Sequence, residues 1–314
     1  MLKNIAESIN ARISDQALNQ EAMTELALAS FFAGGHILLV GPSGMGKHLW
    51  AQAFAGAFEL SYAHERFADN ASSDFFSKLV PAPDDESASQ YPVSRYLSQP
   101  GSLFSQIFHA SGFENISPWE YIHIINAIDR RKPNLSDAGD GSFPLPNPHF
   151  IIASCDENFN LPKPLTDRFM MKLYINYPGV AAEKQILQMH HVGATPDTDH
   201  TPICTLETIA QAKEEVQAVA VEDAIFNYIV SIAETTRRVS AIQTGASPRA
   251  SISLLQAAKA YAAIKGRDYT TIEDVRSLAI PVLRHRITLR PDAIKEGLHA
   301  ERIIESIIIG KRYV

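Results

Sequence analysis

The feature that most constrains this chain of 314 residues is a glycine-rich loop at residues 41–48, with the sequence GPSGMGKH. A short apolar run at residues 36–40 precedes the loop and is typical of a strand buried on both faces of a parallel sheet. A helical pattern follows to about Leu60. Glycines let the backbone N–H groups of such a loop turn towards an anion, and the positive end of the next helix faces the same anion. This unit therefore predicts a phosphate-binding site.

The loop fits the pattern G-x-x-x-x-G-K, but its last position departs from the usual one. Lys47 is expected to reach the outer phosphates of a nucleotide. His48 stands where a Ser or Thr hydroxyl normally binds Mg²⁺, a hard ion that prefers oxygen. We therefore expect ATP or ADP as the ligand, without a standard Mg²⁺ site, and assign no metal ligand. The residues expected to contact the nucleotide are Gly41, Pro42, Ser43, Gly44, Met45, Gly46, Lys47 and His48.

Strand and helix patterns alternate up to residue 179, which predicts an α/β fold with a parallel sheet. Ser117, Pro118 and Glu120 have the spacing of a capping box that starts a helix. The other elements predicted in this part are a helix at residues 15–33 and strands at residues 105–110, 150–154 and 173–177.

After residue 179 only helical patterns are recognisable, which predicts a second, helical domain. The predicted helices cover residues 221–238, 247–265, 271–286 and 301–309. Polar loops are predicted at residues 81–91 and 193–201. We therefore expect a core domain at residues 1–179 and a helical lid domain at residues 180–314.

Composition narrows the classes of partner. The net charge is −7 and the pI about 5.9. The chain therefore lacks the surplus of basic residues that would predict nucleic acid as a main partner. No stretch approaches about 18 consecutive apolar residues, so no membrane span is expected, and the polar N-terminus does not resemble a signal peptide. Cys155 and Cys204 lack metal-ligand spacing and fit reduced thiols in a cytoplasmic protein. His109, His190 and His191 are expected to be ordinary packed or surface residues.

Several segments, spread over nearly the whole chain, resemble the MoxR-type AAA+ ATPases. They are GGHILLVGPSGMGK (residues 34–47), GSLF (101–104), PLPNPHFIIAS (144–154), LTDRF (165–169) and GASPRASISLLQAAKAYAAIKGRDYTTIEDVRSLAIPVLRHRI (245–287). The resemblance implies a three-layer AAA+ P-loop core, a helical lid, and nucleotide at a subunit boundary. It also implies a ring, commonly a hexamer, and a chaperone-like role on partner proteins, which in that family often carry von Willebrand factor A domains.

The resemblance also assigns functional positions. The family's phosphate lysine matches Lys47, the arginine that reaches into the neighbouring subunit matches Arg168, and the sensor arginine of the lid matches Arg249. The first sensor residue falls on or near Asp156. All three of the basic groups that would contact phosphate are therefore present.

The acidic Walker B pair of the family is not present. Its strand matches residues 105–110, so the two acids fall on Ser111 and Gly112. The run at residues 121–126, which leads to Asp129, resembles a strand but follows the capping box at Ser117, and we interpret it as a helix. Hydrolysis needs Mg²⁺ to neutralise charge and a group to orient the water. The missing carboxylates and the histidine at position 48 predict that hydrolysis is lost.

Three functional hypotheses follow. The first is a MoxR-like nucleotide-binding chaperone or assembly subunit without hydrolysis, working in a ring with itself or beside an active MoxR-like subunit. The second is an active ATPase in which Asp156 or Glu157 supplies a relocated metal ligand, although both could simply cap a turn. The third is a nucleotide-free scaffold. Arg168 also has a structural alternative, in which it packs against Phe169 and pairs with Asp167. For the basic residues 284–286, favourable charge at the end of a helix is a sufficient explanation.

Overall fold

The computed structural model of this protein describes residues 1–17, 20–67, 75–81, 96–129, 143–157, 161–191 and 201–310. Its strands are β1 (Ile37–Val40), β2 (Tyr62–Arg66), β3 (Ser77–Pro81), β4 (Tyr96–Pro100), β5 (Ile107–Ser111), β6 (Phe150–Cys155), β7 (Met171–Tyr174), β8 (Ile242–Thr244) and β9 (Thr288–Leu289). Its helices are α1 (Leu2–Gln16), α2 (Glu21–Phe32), α3 (Lys47–Gly56), α4 (Pro118–Ile128), α5 (Lys163–Thr166), α6 (Val180–His191), α7 (Leu206–Ala218), α8 (Asp223–Arg238), α9 (Pro248–Ile264), α10 (Ile272–Leu283), α11 (Pro291–Lys295) and α12 (Ala300–Gly310). Most of the loops predicted at residues 81–91 and 193–201 lies outside the described residues.

Five of the strands form one parallel sheet in the order β2-β5-β6-β1-β7. The strand before the glycine-rich loop, β1, therefore lies between β6 and β7. The carboxyl ends of parallel strands meet at one edge of the sheet, which is where ligands bind in open α/β folds. The loop after β1 and the residues that follow β5 and β6 are brought together at this edge. The parallel sheet and the helical part confirm the predicted α/β fold.

Both faces of the sheet are covered, as the apolar run before the loop predicted. Successive side chains of a strand point to opposite faces. Ile37 and Leu39 of β1 pack in one core with residues of α1, α2, α3 and the later helices. Leu38 and Val40 pack in a second core, which includes Ile124 of α4. The sheet is therefore the middle layer of three.

The helix predicted at residues 15–33 is wrong at its start, because α1 ends at Gln16 and α2 begins at Glu21. Residues 2–16 form a helix that the sequence pattern did not predict. This helix buries Leu2, Ile9 and Ile13 against α2, α3 and α9. An isolated helix of this length is marginal in water, so its tertiary contacts supply most of its stability.

The expectation of helices alone after residue 179 is also wrong, because β8 and β9 form an antiparallel pair. Strands of two or three residues are too short for an alternating pattern. The predicted strands at residues 105–110 and 173–177 exist with shifted limits, as β5 and β7. The capping box is confirmed: the Ser117 side chain accepts from the backbone of Glu120, and the Glu120 carboxylate accepts from the N–H of Ser117. The run that leads to Asp129 is therefore the helix α4.

Candidate functional site

The glycine-rich loop has the backbone of a phosphate cradle. Gly44 and Gly46 have φ angles of 84° and 75°, in the left-handed region that favours glycine. Gly46 is the N-cap of α3, so the first amides of that helix lie at the end of the loop. At the other end, a Cβ on Gly41 would overlap the carbonyl oxygen of Ile175 after β7. The loop therefore packs closely against the residue after β7 at Gly41, and its left-handed positions, 44 and 46, are both glycines.

Lys47 lies across the mouth of this loop. Its ammonium group donates hydrogen bonds to the backbone carbonyls of Gly41 and Pro42, the latter at 2.9 Å. These bonds hold the positive charge beside the loop amides, where a phosphate would sit. The loop, the lysine and the helix end together fit a nucleotide phosphate.

The end of β5, where the resemblance placed the two Walker B acids, carries Ser111 and Gly112. Ser111 is the last residue of β5, and its hydroxyl lies 2.7 Å from Nε2 of His64 and 3.4 Å from the carbonyl oxygen of Glu65. Gly112 has a φ of 65°, and a Cβ there would overlap the carbonyl oxygen of Phe67. An acid at position 112 would therefore be strained by the backbone as well as crowded. The donor set at this position, a hydroxyl already in use and an imidazole, does not fit Mg²⁺.

Two other carboxylates lie near this edge. The N–H of Asp156 donates to Oε2 of Glu114 at 3.3 Å, and Oδ1 of Asp156 accepts from the N–H of Glu157 at 2.7 Å. The Asp156 carboxylate is therefore engaged by the backbone of the next residue, while residues 158–160 of the turn that it was expected to cap lie outside the described residues. Burial, reinforced by Glu114, raises the pKa of the neighbouring Cys155 thiol to about 12 and keeps it protonated. Glu114 was missed because it follows β5 by three residues, beyond the usual Walker B positions.

Three histidines meet beside the loop, on its β5 side. His48 comes from α3, His64 from β2 and His109 from β5, and one ligand nitrogen of each lies within 4.8 Å of the other two. The ring centroids are 4.2 Å apart for His48 and His64, 4.7 Å for His64 and His109, and 5.6 Å for His48 and His109. His109 is buried, as expected for a packed residue, but the sequence pattern did not indicate that two other imidazoles lie beside it. His64 and His109 lie opposite each other in the sheet, and β2 was not recognised from the sequence.

The surroundings of two of these rings favour their neutral form. Burial, and to a smaller degree His64 and His48, lowers the pKa of His109 to about 3. The pKa of His64 is also lowered, first by burial, then by His48 and Arg66. Nε2 of His109 lies 2.9 Å from the hydroxyl of Ser154. These two imidazoles are therefore uncharged at neutral pH and keep a lone pair on one ring nitrogen.

The two arginines that were expected to contact phosphate share one aspartate, Asp129. Nε and Nη2 of Arg168 both lie 2.9 Å from Oδ2 of Asp129, the residue that follows α4. Arg168 also donates to the carbonyl of Pro164. Arg249 lies 3.9 Å from both Asp129 and Asp167. The structural alternative for Arg168 named the wrong partner, because the chain turn after α5 points Arg168 towards the end of α4 rather than towards its neighbour Asp167.

The basic residues 284–286 do more than offset a helix dipole. Nε2 of His285 and Nη2 of Arg286 lie 2.9 Å and 2.8 Å from the carbonyl oxygen of Phe169, the residue after Arg168. Arg286 is buried, and this burial lowers its pKa to about 10 although Asp167 lies 3.8 Å away. The end of α10 is therefore joined directly to the segment that carries Arg168.

The strand order, the loop after β1 and the helices that follow the sheet define a P-loop nucleotide-binding fold of the AAA+ class. Residues 234–307 match the family model described as the AAA lid domain. A crystal structure of a protein from Cytophaga hutchinsonii superimposes with a TM-score of 0.87 over 100% of this chain and 96% of that one, at 24% sequence identity. This likeness shows the fold.

Sequence relatives give the family within that class. The chain is 31% identical over 291 residues to YeaC of Bacillus subtilis (strain 168), which covers 90% of this chain and 87% of that protein. It is 25% identical over 307 residues to the chaperone MoxR1 of Mycobacterium tuberculosis, covering 93% and 78%. It is 24% identical over 324 residues to MoxR of Methylorubrum extorquens, covering 92% and 89%. The chain belongs to the MoxR-type AAA+ ATPase family.

Within the described residues, none of the helices has the length and apolarity needed to cross a membrane.

Proposed function

We propose that this protein is a nucleotide-binding, chaperone-like assembly subunit of the MoxR type in which ATP hydrolysis has been lost. Its core comprises residues 1–179 and its lid residues 180–314. The amides of the glycine-rich loop and Lys47 hold the phosphates of ATP or ADP. The observation that carries this proposal is the end of β5, where Ser111 and Gly112 supply no carboxylate.

The chemistry of hydrolysis explains why the missing carboxylates argue against turnover of ATP. Mg²⁺ must neutralise the charge that develops on the phosphates, and a side chain must orient the attacking water. The Ser111 hydroxyl is engaged by His64 and by the Glu65 carbonyl. The left-handed backbone of Gly112 and its contact with Phe67 exclude a side chain at the second position. Binding needs only the loop amides and Lys47, all of which the chain retains.

Phosphate release and calorimetric titration test this proposal. Steady-state phosphate release is expected to equal that of the Lys47→Ala variant. Titration with ADP or ATP is expected to show binding that Lys47→Ala weakens and that changes little when Mg²⁺ is withheld. Lys295→Ala, at the exposed end of α11, is the matched control and should bind like the unaltered protein. Turnover clearly above that of Lys47→Ala would contradict the proposal, and no binding in either condition would favour the nucleotide-free scaffold.

The ring is the second part of the proposal. AAA+ nucleotide sites lie between subunits, so a chain that does not hydrolyse its own nucleotide can still offer Arg168 to a neighbour. An arginine in this role is worth about 10³–10⁵ in rate. The neighbour is a second copy or an active MoxR-like subunit, and a von Willebrand factor A domain is the client. Light scattering measures whether the protein forms such a ring in solution. Arg168→Ala is expected to lower the ATPase rate of an active partner, and an unchanged rate would make Arg168 purely structural.

A second candidate function rests on Glu114 and Asp156. The hydrogen bond from the Asp156 N–H to the Glu114 carboxylate joins the segments that follow β5 and β6, close to the positions of the missing Walker B pair. An active ATPase could use them as relocated metal ligands. This candidate expects Mg²⁺-dependent turnover that Asp156→Ala or Glu114→Gln abolishes. Absence of turnover in the unaltered protein excludes it.

A further inference from the structure

The proposed nucleotide site uses none of the three imidazole side chains that meet between the first turn of α3 and the middle of strands β2 and β5. We propose that His48, His64 and His109 form a binding site for a first-row transition-metal ion, with Zn²⁺ as the reference case. The site lies directly beside Lys47, where other members of such a fold place a hard-ion ligand. Its donors are nitrogen rather than oxygen, and imidazole suits zinc, copper, nickel and iron rather than magnesium.

The distances allow the three nitrogens to converge. They lie within 4.8 Å of one another. A tetrahedral Zn²⁺ with Zn–N bonds of about 2.0–2.1 Å needs nitrogens about 3.3 Å apart. His109 is buried, whereas His48 and His64 are exposed and have room to turn towards it. A small rotation of the two exposed side chains therefore closes the site around a fixed third ligand.

The direction in which the side chains point also favours a common centre. Within β5, Ile107 belongs to the core shared with α3, whereas Phe108 and Ala110 belong to the core on the opposite face. The alternation along a strand thus places His109 on the face that α3 covers. His48 stands in the first turn of α3, and His64 lies opposite His109 in the register of the two strands. The three residues come from three elements, so their meeting depends on the fold and not on sequence proximity.

Hydrogen bonds around the site set the ligand atoms. The Ser111 hydroxyl donates to the carbonyl of Glu65, so it accepts from Nε2–H of His64 at 2.7 Å. Nδ1 of His64 then keeps its lone pair. The Ser154 hydroxyl lies 2.9 Å from Nε2 of His109 and is the corresponding partner of that ring. Nδ1 of His109 lies 3.4 Å from the Tyr62 hydroxyl, so a metal ion at Nδ1 takes the place of this long contact. Metal-binding histidines usually donate their other ring N–H to such a partner, which fixes the tautomer and orients the ring. The serine at the missing Walker B position therefore has a role in this site.

Three protein ligands leave one tetrahedral position for a water molecule or a phosphate oxygen. Binding of the metal needs no nucleotide, so this inference stands independently of the proposed function. The test is accordingly run without nucleotide, on the full chain without an affinity tag and after removal of metals by a chelator. Zn²⁺ is titrated in competition with a chromogenic chelator, and Co²⁺ is titrated separately because its visible absorption reports a tetrahedral nitrogen site.

The unaltered chain is expected to bind one Zn²⁺ and to give the Co²⁺ absorption of a tetrahedral site. Loss of an outer partner usually lowers metal affinity about 10–100-fold, so Ser111→Ala should fall in that range. His48→Asn and His64→Asn, which remove ligands, should lose more. His299→Asn, an exposed histidine before α12, is the matched control and should bind like the unaltered chain.

His48 and His64 are the chosen positions because both are exposed, so their replacement leaves the core unchanged; circular dichroism of each variant checks this. If the unaltered chain binds Zn²⁺ no more tightly than the His48→Asn/His64→Asn double variant, the proposal is wrong. The same conclusion follows if His299→Asn loses as much affinity as the cluster variants, because binding is then scattered over surface histidines. A nucleotide titration that fails while Zn²⁺ binds would overturn only the proposed nucleotide function.

Discussion

The ion pair between Arg168 and Asp129 offers a quantitative test, because it decides whether the expected finger arginine is held within its own chain. Nε and Nη2 of Arg168 share Oδ2 of Asp129, each at 2.9 Å. The side chains are 17% and 15% exposed, so the pair is mostly but not fully shielded from water. The perturbation is a double-mutant cycle with Arg168→Ala, Asp129→Asn and the two changes together.

The magnitude follows from two limits. Fully exposed ion pairs are worth about 0–1 kcal/mol, and removal of one partner from a fully buried pair costs about 3–5 kcal/mol. With roughly a sixth of each side chain exposed, we expect a coupling free energy of about 1–2 kcal/mol. Arg249 lies 3.9 Å from Asp129 and keeps part of the favourable field when Arg168 is removed. Arg168→Ala alone should therefore destabilise the fold less than the full loss of a buried partner.

Urea unfolding of the four proteins measures this coupling. Arg276 and Glu273 supply the control cycle, since their side chains are 33% and 73% exposed and lie one turn apart on α10. Such a surface pair should couple by only about 0.2–0.5 kcal/mol. If the Arg168 cycle gives no more than the control, the ion pair does not hold in solution and the magnitude argument is refuted. Arg168 would then be free to contact a neighbouring subunit without first leaving Asp129.

Two further predictions concern stability and the loop. Burial alone would raise the pKa of Asp274, but hydrogen bonds from Arg267 and Thr271 outweigh it and lower that pKa. The stability that this carboxylate supplies is therefore complete above its unfolded pKa of about 4 and is lost as the pH falls through the lower folded value. Urea unfolding should show that Asp274→Asn is less stable than the unaltered protein by about 2–3 kcal/mol at pH 7, with a smaller difference below pH 4. A difference that does not depend on pH would contradict this prediction. Gly41→Ala should cost about 1–3 kcal/mol and weaken nucleotide binding, because its Cβ overlaps the Ile175 carbonyl. Gly56→Ala, which has open space around it, is the control, and equal losses in the two variants would show that the contact with Ile175 does not matter.

The sequence by itself determined the features that depend on residues close together in the chain. The capping boxes at Ser117 and Thr271 start helices where predicted, because each uses side-chain and backbone groups three residues apart. The glycine-rich loop after β1 was recognisable because phosphate binding needs glycines and a lysine at fixed spacing. The capping box also identified the run that leads to Asp129 as a helix, which the structure confirms.

The tertiary structure alone decided which distant side chains meet. His48, His64 and His109 lie on three elements. The register of β2 and β5 sets His64 opposite His109, and α3, which covers that face of the sheet, adds His48. Asp129 pairs with Arg168 for a similar reason, since the end of α4 faces the turn after α5. The first helix was missed because its apolar face is stabilised by packing and not by a strong local signal. Helix caps and the glycine-rich loop depend on residues only a few positions apart in the sequence. The contacts between distant side chains depend instead on strand order, on register and on which face of a strand each side chain occupies.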